Sequence, residues 1–159
     1  MIKPSQIAWN PRLGASLNAR RKLPPMMADY FSQVRELLVS DPPPAELHAM
    51  RLATKRVRYT LELFRPCYGP GLELRIATLQ RLQQVLGEVN DCAATERLIE
   101  GLVPTSPART RVRTFLRCRA AAKATELRRE WRQNFDAPGR EQWWLHYLSR
   151  SAKVRGRGL

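Results

Sequence analysis

The sequence predicts an all-α fold, an antiparallel helical bundle of four principal helices plus a short C-terminal helix. Apolar residues recur at helical spacing in several long segments, and no segment shows the alternating pattern typical of a strand. Clusters of proline and glycine separate the segments, and the connections between them are short. Because short connections place consecutive helices side by side in opposite directions, we expect an antiparallel bundle.

The first helix is expected to begin at a pair of prolines. Residues 1–23 show little periodicity, and we interpret them as an irregular N-terminal arm. Pro24 and Pro25 suit the first turn of a helix, where a missing backbone N–H costs nothing. The helix should end near Asp41, because three consecutive prolines follow and cannot continue it.

The later helices are bounded by similar signals. Ser106 is a good N-cap and Pro107 a good first residue for the fourth helix. The predicted helices after the first are Ala45–Phe64, Leu72–Leu102, a fourth that starts at Pro107 and ends before Pro138, and a short one over Glu141–Ser149. The chain is therefore divided into the arm 1–23, a helical domain 24–150 and a basic tail 151–159.

Charge is the most informative property of the composition. The chain has 28 Lys and Arg against 14 Asp and Glu, a net charge of +14. Such a field attracts polyanions and destabilises a compact monomer by self-repulsion. Nucleic acid, an anionic membrane surface and phosphate polymers are the candidate partners, and the excess of Arg favours phosphate recognition. The alternative is that part of the charge only aids solubility.

Other classes of function have little support. We find no carboxylate pair, Gly-rich phosphate loop, Ser-His-Asp set or metal-binding motif, so we expect neither an enzyme nor a cofactor or metal site. Cys67, Cys92 and Cys118 are widely spaced and odd in number, which indicates free thiols in a reducing compartment. No stretch approaches the roughly 18 apolar residues of a membrane span, and no secretory signal is evident. A cytoplasmic location is expected.

The second predicted helix carries a group of basic and polar residues on one side. At about 100° per residue they fall within a sector about 100° wide beside the apolar stripe. Residues at the edge of a core face are fixed by packing and can point into a groove between helices. We call this group the basic face, and its members are His48, Arg51, Lys55, Arg58 and Tyr59. The alternative is surface ion pairing with Glu62, Glu73 or Asp91.

A second basic column is predicted on the fourth helix. Arg109, Arg113 and Arg117 recur every four residues and therefore lie on one side. The segment from residue 102 to the C-terminus holds fourteen Lys or Arg against four Asp or Glu, so most of the net charge lies there. From this periodicity we interpret the column as a further polyanion-binding surface, the alternative being a solvated face that aids solubility.

Two alternative functions stay open from the residues alone. A nucleic-acid-binding helical protein would fit the charge equally well, although no zinc finger, basic zipper or RNA-recognition signature is present. Trp143 and Trp144 could stack on nucleobases, but such a pair more often packs across a bundle or a dimer contact. The other alternative is an interaction module for an acidic protein partner.

Two segments resemble motifs of a known family. Residues 47–59, LHAMRLATKRVRY, followed by LELF at 61–64, resemble the signature helix of the CHAD family, the conserved-histidine α-helical domains. LQ at 79–80 and LGEVND at 86–91 resemble the second motif of that family, and Trp131 followed by Phe135 resembles its closing helix. The resemblance extends from about Met27 to Phe135.

The resemblance implies an all-helical domain that binds inorganic polyphosphate in a basic channel or groove and performs no catalysis. It assigns the five residues of the basic face to the phosphates. Asn90 and Asp91 match the second motif, and we expect Asp91 to orient one of the cations. A location in the cytoplasm that includes polyphosphate granules would follow.

The chain differs from the family pattern in one respect. The usual domain has two similar helical halves that face each other across a cavity, whereas this sequence contains each motif once. The chain therefore looks like a short, single-repeat form that resembles one half of the domain. A homodimer, most commonly two-fold symmetric, would restore the second half.

Overall fold

A computed structural model describes residue 2 and residues 7–150. The described part of the chain contains helices and no strand, which confirms the predicted all-α bundle. The basic tail assigned to residues 151–159 lies outside the described residues. The elements are α1 (Ala15–Val39), α2 (Pro44–Leu63), a 3₁₀ turn (Arg65–Cys67), α3 (Gly71–Leu102), α4 (Pro107–Asn134) and α5 (Arg140–Ser149).

The first helix begins earlier than predicted. α1 starts at Ala15, so the interpretation of residues 15–23 as irregular arm is wrong, and Pro24 and Pro25 lie inside the helix. Ala19 and Leu23 are fully buried, and the gain from burying this apolar stripe offsets the backbone hydrogen bonds that the prolines cannot make. Asn18 fixes the entry, because its side-chain amide donates to the Asn10 carbonyl at 2.8 Å and its oxygen accepts from the Asn10 amide at 3.0 Å.

Each helix packs against one or two neighbouring helices around one shared core. α1 contacts α2 and α5, α2 contacts α3, and α3 contacts α4. A cluster of buried aromatic rings joins α1, α4 and α5: Phe31 lies 5.6 Å from Trp131, and Phe135 lies 5.7 Å from Trp144, between ring centroids. Such pairs contribute about 0.5–1.5 kcal/mol each beyond the buried area. The cluster therefore ties α1, α4 and α5 to one core.

A buried arginine anchors α5 to α3. Arg75 is 2% exposed, and it donates to the carbonyl of Trp143 at 2.6 Å and to that of Gly71 at 3.0 Å. Its guanidinium lies 3.4 Å from the Trp143 ring centroid and 3.9 Å from that of Tyr147. Burial lowers the pKa of Arg75 to about 10, so the group stays charged at neutral pH and depends on these carbonyls and rings.

The two tryptophans of α5 therefore have packing roles. The Trp144 side chain is fully buried in the aromatic cluster, and Trp143 is 39% exposed and stacks on Arg75. Of the two expected packing roles, across the bundle or at a dimer contact, the structure shows the first for Trp144. The Trp144 ring offers no surface to a nucleobase.

α3 and α4 continue beyond the core as a two-helix hairpin. Residues 93–126 include no buried side chain, and we call this segment the outer hairpin. Its connection contains the predicted N-cap, since the Ser106 hydroxyl accepts from the Arg109 amide at 3.1 Å. The outer hairpin is stabilised by contacts between its own two helices.

Replacing each tryptophan of α5 in turn should separate their contributions to stability. Trp144→Ala leaves a large cavity in the aromatic cluster and should lower the free energy of unfolding by about 3–5 kcal/mol. Trp143→Ala removes an exposed ring and its cation–π contacts with Arg75 and Arg140, and it should cost only about 1 kcal/mol. Urea denaturation followed by circular dichroism measures both values, and equal losses would contradict this packing.

Candidate anion-binding groove

The basic face lies along the junction of α2 and α3, at the level of residues 83–90 of α3. His48, at the start of α2, is exposed, and its Nδ1 lies 3.1 Å from Oδ1 of Asn90. The Asn90 amide nitrogen donates to the Leu86 carbonyl at 2.8 Å, which leaves Oδ1 as the acceptor. Nδ1 of His48 therefore carries the proton in this contact, and Nε2 points away from Asn90.

Arg58 occupies the other end of this junction. Its Nε donates to Oε1 of Gln83 at 2.9 Å, and its Nη1 donates to Oε1 of Glu62 at 2.5 Å. The side chain is 13% exposed. Because Gln83 and Asn90 stand seven residues apart on α3, they lie on the same side of that helix and face α2 together. These contacts fix the antiparallel register of the two helices.

Arg51 stands between these two contacts and has no partner. Its Nε is buried, and its guanidinium makes no hydrogen bond or ion pair with any described residue. The Nε lies 3.9 Å from the position that a Cβ on Gly87 would occupy, so the arginine passes close to the α3 backbone. A buried donor without an acceptor costs about 1–3 kcal/mol. The fold therefore holds the Arg51 guanidinium without a compensating partner.

Lys55 and Tyr59 complete the basic face. The ammonium of Lys55 lies 5.7 Å from the Tyr59 ring centroid, and the guanidinium of Arg58 lies 4.3 Å from it. Tyr59 is 49% exposed, and its ring contacts both cations. We call the surface formed by the basic face together with Gln83, Gly87 and Asn90 the basic groove.

The alternative of ion pairing holds for one member of the basic face. Glu62 pairs with Arg58, whereas Glu73 pairs with Arg65 at 3.0 Å. Asp91 is exposed and makes no ion pair within residues 7–150, so the contact expected between Asp91 and a cation is absent there. The preceding residue, Asn90, contacts the basic face instead.

The sequence alone did not identify Gln83 as a residue of the site, and it predicted no contact partner for Asn90. The available signal was spacing on α3, since positions 83, 87 and 90 recur at helical intervals and all three are half-buried. Only the register of α3 against α2 shows which residue of the basic face each of them meets.

The basic column of α4 is compensated by α3. Its contacts lie at residues 96–103, away from the basic groove, and the structure does not bring the two sets together. Arg113 lies 2.9 Å from Glu100, Arg117 lies 2.6 Å from Glu96, and Arg109 donates to the Val103 carbonyl at 2.6 Å. These contacts give the column a structural role in the outer hairpin. Its assignment to polyphosphate stays a prediction.

The described residues contain no group of three His, Cys, Asp or Glu side chains placed to hold a metal ion. Cys67 and Cys92 are buried and Cys118 is exposed, all as free thiols. None of the helices in the described ranges is both long and apolar enough to cross a membrane.

Comparison with known families places this groove in context. Residues 3–100 match the family model of the CHAD domain. The chain belongs to the CHAD family. The CHAD match extends from the N-terminal segment to near the end of α3 and includes every residue of the basic groove, while α4 and α5 lie beyond it. Comparisons with curated proteins and with solved structures gave no match.

Glu96→Gln tests the structural role of the α4 column. The Glu96 carboxylate lies 2.6 Å from Arg117 and 3.5 Å from Arg113. Its loss should therefore lower the free energy of unfolding by about 1–2 kcal/mol. Asp91→Asn, on the same helix and without an ion pair among the described residues, should change it by less than about 0.5 kcal/mol. Urea denaturation measures both, and an unchanged stability of the Glu96 variant would refute the role.

Proposed function

We propose that this chain binds inorganic polyphosphate in the basic groove and does not catalyse its turnover. Membership of the CHAD family supports the choice of ligand, because CHAD domains are associated with polyphosphate-related proteins. The single observation that carries the proposal is Arg51, whose guanidinium is half-buried beside α3 with no partner among the described residues. Location in the cytoplasm, including polyphosphate granules, belongs to the same proposal.

The spacing of the cations suits a polymer of phosphates. Arg51, Lys55 and Arg58 stand on successive turns of α2, about 5–6 Å apart. A chain with negative charge on every repeat can contact successive turns at once and releases its condensed counterions as it binds. Of these three cations only Arg58 has a carboxylate partner in the described ranges. The ligand would therefore relieve a repulsion that the fold leaves in place.

The neighbouring polar groups can orient a bound phosphate through hydrogen bonds. The Tyr59 hydroxyl can donate to a phosphate oxygen, and Nε2 of His48 can do so when the ring is protonated. Arg51 and Arg58 present guanidinium groups, which bind two oxygens of one phosphate at once. The Glu62 carboxylate, which contacts the basic face, is held by Arg58 at 2.5 Å and lies 4.0 Å from Arg65, so its repulsion of an incoming anion is reduced.

Charge reversal in the groove provides the test. Arg51→Glu with Lys55→Glu should weaken binding of long-chain polyphosphate at least about a hundredfold, because two attractive contacts become repulsive. Isothermal titration calorimetry at physiological salt measures the affinity. Arg51→Gln with Lys55→Gln should reduce the slope of log K against log salt by about two, roughly one per cation. Circular dichroism confirms that the variants are folded.

The matched control reverses two charges elsewhere. Arg111 and Arg129 lie on α4, are exposed and make no ion pair within the described residues. Arg111→Glu with Arg129→Glu makes the same change in net charge, yet it should alter the affinity by less than about threefold, because salt screens charges beyond about 8 Å. If the control weakens binding as much as the groove variant does, the affinity depends on the net charge of the protein and not on the basic groove.

The net charge of +14 also favours nucleic acid as a ligand. Competition between polyphosphate, DNA and RNA at matched phosphate and salt concentrations separates the two candidates. We expect polyphosphate to displace both nucleic acids. Displacement of polyphosphate by DNA or RNA by a wide margin would identify a nucleic-acid-binding protein.

A further inference from the structure

A cavity lies at the base of the outer hairpin, where residues of the four long helices meet. Its volume is about 320 Å³, roughly twice that of an engineered apolar cavity that binds benzene. Ligand pockets in proteins begin at about 300 Å³ and are lined mainly by apolar side chains. The larger apolar side chains around this cavity come from α1 to α4: Leu38, Leu47, Val89, Cys92, Leu116 and Leu127. The cavity therefore has the size and lining of a site for a small apolar group.

Alanines on α4 keep this cavity open. Between Arg117 and Leu127 the α4 residues that line it are Ala120, Ala121 and Ala124. The lining extends along α4 from Leu116 to Arg128, about 18 Å at 1.5 Å per residue, and this length suits an extended hydrocarbon chain. An unfilled apolar cavity lowers stability, so a ligand would offset a cost that is present in the free protein.

Arg128 gives one end of the cavity a positive charge. Its side chain is 25% exposed, and its carboxylate partner Asp41, in the connection between α1 and α2, is 88% exposed. An ion pair with so exposed a member contributes little to stability. A carboxylate from a ligand can therefore replace Asp41 at small cost, and the guanidinium can bind both of its oxygens.

The other end of the cavity is less suited to an anionic group. Arg117 is 62% exposed there and pairs with Glu96, which is 20% exposed and also pairs with Arg113. A ligand that displaced Glu96 would break two ion pairs. The net charge of +14 attracts an anion and repels a cationic head group. An anionic head group therefore belongs at Arg128, with the apolar body extending along α4.

We infer that this cavity binds a fatty acid, a single hydrocarbon chain of about ten carbons whose carboxylate pairs with Arg128. The apolar lining holds the chain, and Asp41 gives up its place on the guanidinium to the ligand. The cavity and the basic groove have no lining residue in common within the described part of the chain. The inference therefore goes beyond the proposed function and does not depend on it.

Isothermal titration calorimetry of the full chain with decanoate, below its micelle concentration, tests the site. The unmodified protein should bind decanoate, and should bind decanol at least about tenfold more weakly, because decanol lacks the charge that pairs with Arg128. Ala124→Leu fills the cavity and should weaken binding of both ligands at least about tenfold. Ala122→Leu is the matched control, since Ala122 is exposed on the same helix outside the lining, and it should change neither affinity by more than about twofold.

Three variants test the charged end of the cavity. Arg128→Gln should weaken decanoate binding about tenfold and leave decanol binding unchanged. Asp41→Asn should strengthen decanoate binding about threefold, because the competing carboxylate is gone. Arg129→Gln makes the same change in net charge as Arg128→Gln, at an exposed residue of α4 without an ion pair among the described residues, and it should alter the decanoate affinity by less than about twofold.

Three results would overturn the inference. The first is a lack of decanoate binding by the unmodified protein. The second is an unchanged affinity in Ala124→Leu, with circular dichroism showing that this variant is folded. The third is an equal loss in Arg128→Gln and Arg129→Gln, which would mean that net charge alone attracts the anion, and this pair decides by itself if Ala124→Leu does not fold. None of these results bears on polyphosphate binding in the basic groove.

Discussion

Packing of α2 against α3 is the constraint on which the site depends. Isolated cations on a flexible surface would move apart, but the junction of two long helices holds them in place. The contacts of His48 with Asn90, at 3.1 Å, and of Arg58 with Gln83, at 2.9 Å, fix the two ends. Arg51 is thereby kept against α3 without an acceptor. The stability of the bundle offsets the free-energy cost of this unpaired donor. A bound anion would remove that cost.

The arginines outside the basic face differ from it in the partners that compensate their charge. Arg113 and Arg117 are cations like those of the basic face, yet Glu96 and Glu100 compensate them in the outer hairpin. Arg75 is compensated by carbonyls and aromatic rings in the core. Helical periodicity alone does not distinguish these arginines from those of the basic face. Arg51 and Lys55 of the basic face differ from these arginines, because neither has a carboxylate or carbonyl partner among the described residues.

Much of the fold could be predicted from sequence, because proline, glycine and N-cap signals mark where the helices begin and end. α2 and α3 begin within one residue of their predicted starts. The start of α1 at Ala15 was missed, since the signal at Pro24 suggests a first turn and only burial in the assembled core shows that the helix continues through it. The residues of the basic face could be grouped by periodicity. Their partners could not, because helical spacing does not determine the register between two helices.

A crystal structure of the chain with bound polyphosphate would test the central claim most directly. The uncompensated guanidinium of Arg51 should lie about 3 Å from a phosphate oxygen, with further phosphates beside Lys55 on the next turn of α2. Phosphate bound along Arg109, Arg113 and Arg117, with the basic groove empty, would contradict it.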